Sequence, residues 1–202
     1  MNKLERSFYR KSSIQLAQDL VGKVLVHKIN GQKVSGRIVE VEAYMGIEDK
    51  AAHSYGGKRT KRTEVMFGMP GILYVFLIYG MYSCVNIVAG ELEEPQAVLI
   101  RGIEPLDGVD KMAFNRYGKT FEELSKKERV NITNGPGKLC IAMGIDKTAN
   151  GVDLCKDDFF VEDDKCRPEI VSSKRIGIDY AEEAVDFLWR YHIKDNRYVS
   201  KG

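Results

Sequence analysis

The stretch GRIVEVEAY, residues 36–44, carries two carboxylates at alternate positions. In an extended strand, period two puts Ile38, Glu40, Glu42 and Tyr44 on one face and Val39, Val41 and Ala43 on the other, so the apolar face is complete without the acids. The Cα atoms of Glu40 and Glu42 then lie about 6.5–7 Å apart. A carboxylate held this way can take a proton from water or steady a developing positive charge. A solvated strand face is the ordinary reading of such a pair. Two features favour chemistry here: Tyr44 shares the face, and the glycine-bearing loop after it sets His53 between Ala51-Ala52 and Ser54. An isolated histidine is itself more often structural than catalytic. Two nearby carboxylates also equip glycoside hydrolases, but neighbouring acids on one strand point in parallel and do not flank a sugar.

The loop continues as GGKRTKRTE, the densest positive cluster of the chain. Lys58, Arg59, Thr60, Lys61 and Arg62 combine charge and hydroxyls with the flexible backbone of Gly56-Gly57, a composition suited to phosphate contact. The net charge of the whole chain is only +2, so attraction to a polyanion has to come from such a local run. A charge run is usually a solvated loop, and this one gains weight from the uncharged, aromatic segment that it precedes.

From Ile72 to Gly90 the chain has no charged residue, although Asp, Glu, Lys and Arg make up 30% of the whole. The length just reaches that of a membrane helix, roughly 20 residues. Pro70-Gly71 opens the run, however, Gly80 interrupts it, and β-branched and aromatic residues fill it, so it reads as a hairpin of LYVFLI and YSCVNIV. A two-residue loop (Tyr79, Gly80) would put Phe76 and Asn86 on opposite faces, whereas a three-residue loop ending at Met81 would put them on one. The sequence leaves both open. Tyr79 falls at the tip in either case, covered by another loop or acting as a wedge into a partner. A phosphate grip beside an apolar wedge is a combination used by nucleic-acid readers.

These segments need a frame. SIQLAQDL reads as a helix capped by Ser12 or Ser13, KVLVHKI and GRIVEVEAY as strands joined at Asn30-Gly31, and AVLIRGIEP as another strand. TFEELSKKER reads as a helix opened by a Thr120-x-x-Glu123 capping box, and KLCIAMGI as a helix after the turn NGPG. That turn lacks the first glycine and the Ser or Thr of a nucleotide-phosphate loop, although a helix start near Lys138 could touch a DNA phosphate. FFVEDD, RIGI and AEEAVDFLWRY complete a mixed strand and helix region. Strands grouped with helices at the ends and short antiparallel links indicate α+β. With 202 residues, 44% of them hydrophobic, and no repeat or long linker, the expectation is a single domain over 1–202. The four cysteines are scattered without metal spacing, which favours reduced thiols and no metal. The charged start lacks the apolar stretch of a signal peptide, so a cytoplasmic chain is expected, one associated with the nucleoid if the source is prokaryotic.

In order, RIVEVEAYMGIEDKAAHS, the basic loop, MFGMPGILYVFLIYGMYSCVNI, AVLIRGIEP, NGPGKLC and RIGI resemble the alkyladenine (3-methyladenine) DNA glycosylase family of the mammalian type, over about Gln15 to Ile178. The resemblance implies an α+β domain with a curved antiparallel sheet and a protruding hairpin. It also implies removal of 3-methyladenine, 7-methylguanine, hypoxanthine or ethenoadenine from double-stranded DNA, by a monomer without cofactor, metal or membrane partner. Under it, Glu42 activates water, and Arg101 with the backbone carbonyl of Ile176 holds that water. Tyr44 and His53 wall the base pocket, the main-chain N–H of His53 meets the purine, and Asn86 disfavours the amino group of normal guanine. Tyr79 fills the gap left by the flipped nucleotide. Phe76 stands where the mammalian pocket has a tyrosine, which keeps stacking and removes a hydroxyl. A non-catalytic DNA-binding module and a nucleoside or glycoside hydrolase are the competing readings.

Overall fold

The strand that carries the two acids lies in the middle of one antiparallel sheet, and the two strands of the uncharged run form one end of it. The computed structural model describes residues 2–156 and 158–201. Its strands are β1 (Asn2–Lys3), β2 (Val24–Ile29), β3 (Gln32–Tyr44), β4 (Leu73–Ile78), β5 (Tyr82–Ala89), β6 (Gln96–Pro105), β7 (Phe159–Asp163), β8 (Ile170–Ser173) and β9 (Arg190–Ile193). They hydrogen-bond in the order β1-β7-β2-β3-β6-β5-β4, with β9 joined to β3 and β8. The helices are α1 (Arg6–Tyr9), α2 (Ser13–Leu20), α3 (Val109–Tyr117), α4 (Lys126–Val130) and α5 (Pro136–Met143). The class is α+β, as the sequence indicates.

Local chemistry sets the helices that back the sheet. Ser12 caps α2 by accepting the Gln15 N–H at 3.3 Å, and Leu16, Ala17 and Leu20 turn one face into the core. Pro136 starts α5 where no backbone donor is needed. Leu139, Cys140, Ala142 and Met143 of α5 share one continuous core with α2, β3, β5 and β6. That core runs from Tyr9 to Tyr198 and fixes the rear of the sheet, leaving the edge-side hairpin β4–β5 to project.

Several expectations are corrected. The Thr120–Glu123 pair forms, with the Thr120 N–H donating to Glu123 at 2.7 Å, but no helix starts there. Asp110 takes the Phe121 N–H and Leu124 turns into the core, so the helix begins at Lys126 under a second capping box of Ser125 and Glu128. Helix α3 is an addition to the elements expected from the sequence. RIGI is irregular because Arg175 and the Ile176 N–H are drawn to Asp49 and Glu42. AEEAVDFLWRY holds only a 3-10 turn at Glu182–Asp186 before β9, whose pairing with β3 extends to the Ala43 N–H and Trp189 carbonyl at 2.8 Å. Strict alternation in β3 also fails. The β3–β6 register shifts on both sides of Glu40, and Ile38 joins Val39, Val41 and Ala43 in the main core.

Candidate active site

The acids of β3 are not solvated. Glu40 and Glu42 are both fully buried, and a buried carboxylate needs partners to stay charged. Glu42 receives the Ile176 N–H on Oε1 and the Tyr44 hydroxyl on Oε2, each at 2.8 Å, while Arg101 Nη1 lies 3.3 Å from Oε1. Burial pushes the Glu42 carboxyl above the usual carboxylate range, against the pull of Arg101, the Ile176 N–H and Tyr44. Burial and the neighbouring Glu42 carboxylate push the Tyr44 hydroxyl well up, so it remains a donor. Arg101 gets its aim from the β-bulge: Gly102 pairs with Glu40 and Ile100 with Val41, and Arg101 falls between them.

A cavity of about 560 Å³ opens over this group. Its walls come from the hairpin and from the loop after β3. The hairpin pairs Ile78 with Tyr82 and Phe76 with Cys84, which is the three-residue form of the loop. Phe76 and Asn86 therefore share one face, and both line the cavity. Tyr74 sits directly across from Asn86, whose side-chain amide donates to the Tyr74 carbonyl at 3.0 Å. The rings of His53 and Phe76 meet edge to face at 4.6 Å, and those of Tyr74 and Phe76 are 5.4 Å apart.

His53 is neutral. The Arg62 guanidinium, which can only donate, lies 3.1 Å from its Nε2, so Nδ1 carries the proton and donates to the Tyr74 hydroxyl at 2.9 Å. Burial, helped by the cations Arg62 and Lys58, lowers its pKa to about 4. The buried Cys84 thiol is pushed up to about 11 by burial, so it is an uncharged part of the wall rather than a nucleophile.

At the hairpin tip Tyr79 is 85% exposed and takes a left-handed φ of 53°, followed by Gly80 at 72°. Among the described residues no loop covers it, and Leu77, Ile78, Met81 and Tyr82 extend the exposed apolar surface around it. The basic loop divides its labour. The Arg59 guanidinium is held by Glu64 at 2.8 Å and Glu93 at 2.5 Å, so its charge is already matched. Arg62 lies over the Phe76 ring at 4.8 Å, on the cavity wall. Lys58, Thr60 and Lys61 are exposed, with Thr60 and Thr63 closing the turn between them. On the far side of the cavity Pro136 lines the wall, while Lys138 Nζ is turned to Asn131 and Asn134 at 3.1 and 2.9 Å.

Three contributors go beyond the residues singled out in the sequence. Tyr74 lies two residues before Phe76, and period two could have found it. Arg175 is fully buried against Asp49 at 2.6 Å and lies 4.9 Å from the Tyr44 ring centroid, bracing the segment that delivers Ile176. Arg190 reaches the Glu40 side of the acid pair from a remote strand. Neither arginine has a local sequence signal.

Among the described residues, no helix is long and apolar enough to cross a membrane. A family model described as methylpurine-DNA glycosylase matches residues 7–197. A protein of Clostridium novyi is 58% identical over 201 residues, covering 100% of each chain. Others from Desulfitobacterium hafniense and Alkaliphilus oremlandii are 57% identical, covering 99% of each chain, and 56% identical, covering 98% of this chain and 99% of the relative. All three carry the name "Putative 3-methyladenine DNA glycosylase" and are bacterial, and they bear out the likeness read from the motifs at the level of the family. With a buried carboxylate beneath an aromatic cavity and a match over nearly its whole length, the chain belongs to the methylpurine-DNA glycosylase family.

Proposed function

We propose that this DNA repair glycosylase is monofunctional, acts as a monomer and a single domain on double-stranded DNA, and flips out alkylated or deaminated purines. The substrates are 3-methyladenine, 7-methylguanine, hypoxanthine and ethenoadenine, and the product is an abasic site. The observation that carries this reading is the Glu42 carboxylate held beneath a cavity whose walls include Tyr44, His53, Phe76 and Asn86, beside an exposed Tyr79.

A stacked purine hides its glycosidic bond, and turning it out costs a few kcal/mol, least for damaged bases. Stacking on Tyr44, Phe76 and His53 returns about 1–3 kcal/mol per aromatic contact, and Tyr79 fills the vacated stack. The exposed Lys58 and Lys61, with Thr60 and Arg62, grip phosphates; Arg59 does so only by leaving its two carboxylates. The main-chain N–H of His53 meets the purine edge, and Asn86 excludes the amino group of normal guanine. Phe76 contributes stacking alone.

In the chemical step the C1′–N bond breaks and its electron pair leaves with the purine. Water, held by Arg101 and the Ile176 carbonyl, forms the new C1′–O bond and yields its proton to Glu42. The same carboxylate steadies the oxocarbenium charge of the sugar. An N-alkylated purine is already cationic and departs without an acid, whereas hypoxanthine needs a proton.

The test is a gel assay for abasic sites in a methylated duplex. Base release and abasic sites support the reading. Binding to undamaged duplex with no base released supports a plain binding module, and release from free nucleosides supports a nucleoside hydrolase.

A further inference from the structure

The second acid of the pair, Glu40, has no place in that reaction, yet it is the more heavily bonded of the two. Its Oε1 accepts from Arg190 Nε at 2.7 Å, the Ser200 hydroxyl at 2.8 Å and Arg101 Nε at 3.2 Å, and its Oε2 accepts from the Ser200 N–H at 2.7 Å. All of this is buried or nearly so. Arg101 is thus shared between two carboxylates, through Nε to Glu40 and Nη1 to Glu42. Two acids facing one arginine would leave a buried net negative charge, and Arg190 brings the count of cations level with that of anions.

The backbone is shaped for this arrangement. Strand β9 pairs with β3 so that Arg190 stands opposite Glu42 in register, while its guanidinium reaches Glu40 and also the Ser173 hydroxyl and the Ser200 carbonyl. The segment before Ser200 lies so close to β6 that a Cβ on Gly102 would come within 2.8 Å of the Tyr198 carbonyl and 3.3 Å of Glu40 Oε2. Only glycine lets that segment deliver both donors of Ser200.

Resting on the reading of Glu42 as the base, we infer that Arg190 and Ser200 are positioning residues acting through Glu40: they satisfy its charge, so that Arg101 is fixed by Nε and presents Nη1 to Glu42. Without them Glu40 competes for Arg101 and stands as an unmatched anion beside Glu42, which raises the proton affinity of the base. The other groups facing Glu42 are Tyr44 on its own strand, the Ile176 N–H, Cys84 from β5 and Tyr180 from the loop after Ile176. They keep their contacts when Arg190 is changed.

The experiment is single-turnover release of 7-methylguanine from a methylated duplex as a function of pH, a substrate whose departure needs no acid. Arg190→Gln is expected to move the acid limb up by at least about half a pH unit, a loss of about threefold on that limb, with a much smaller loss on the high-pH plateau. Arg190→Lys should restore the limb, and Ser200→Ala should move it in the same direction by less. An Arg190→Gln limb that coincides with the wild type, or an equal loss at every pH that Arg190→Lys shares, overturns the inference. If Arg190→Gln fails to fold, Ser200→Ala decides by the same criterion. Full release by Glu42→Gln removes the reading of Glu42 itself; an inactive Glu42→Gln with an unmoved Arg190→Gln limb removes only the role of Arg190.

Discussion

The Ile176 N–H donates to Oε1 of Glu42 at 2.8 Å across 134 positions of sequence. It joins a strand to an irregular loop, and it makes the carboxylate depend on a backbone donor that only a proline substitution would remove. Glu42 is therefore held in one orientation under the cavity.

Replacing the carboxylate should leave that orientation and abolish the proposed base. Glu42→Gln is expected to lower single-turnover purine release by about 10³-fold, in the range for loss of a general base. Binding to a hypoxanthine duplex, measured by gel shift, should persist.

With Glu42 as the proposed base, its raised pKa sets the expected pH dependence. A base works deprotonated, so release falls as pH drops through its pKa. Because burial holds that pKa above the ordinary carboxylate value, the acid limb for a 7-methylguanine duplex should be centred above about pH 4.3, the value of a free glutamate. A rate profile from pH 4 to 9 measures it.

Tyr79 is too exposed to support the fold. Tyr79→Ala should leave thermal unfolding unchanged and reduce capture of a flipped ethenoadenine about tenfold, the loss of one stacking partner. The fluorescence of the ethenoadenine reports it directly.

Asp49 and Arg175 are a different case, since both are buried and their ion pair also anchors the Ala43 carbonyl at 2.9 Å. Removing one partner strands the other charge. Asp49→Ala should cost about 3–5 kcal/mol in urea unfolding and should lower purine release as well, because Arg175 precedes Ile176.

By itself the sequence determined the strands β2 to β7, the helices α2 and α5, and several residues that line the pocket. Period two put Glu42 and Tyr44 on one face, the uncharged run with its central glycine read as a hairpin rather than a membrane span, and the order of motifs carried the family resemblance. These are local properties, set by side-chain alternation and turn chemistry. Tertiary structure alone decided the rest. The hairpin took its three-residue loop because Phe76, Cys84 and Asn86 share one face over the acids. Thr120 lost its helix because Asp110 and the core took the neighbouring residues. The surroundings of Glu40 and Glu42, alike in strand pattern, differ because Arg190 and Ser200 close on one and Ile176 on the other. Buried charges are settled by whichever donors the fold brings to them, and those donors come from 134 to 160 positions away.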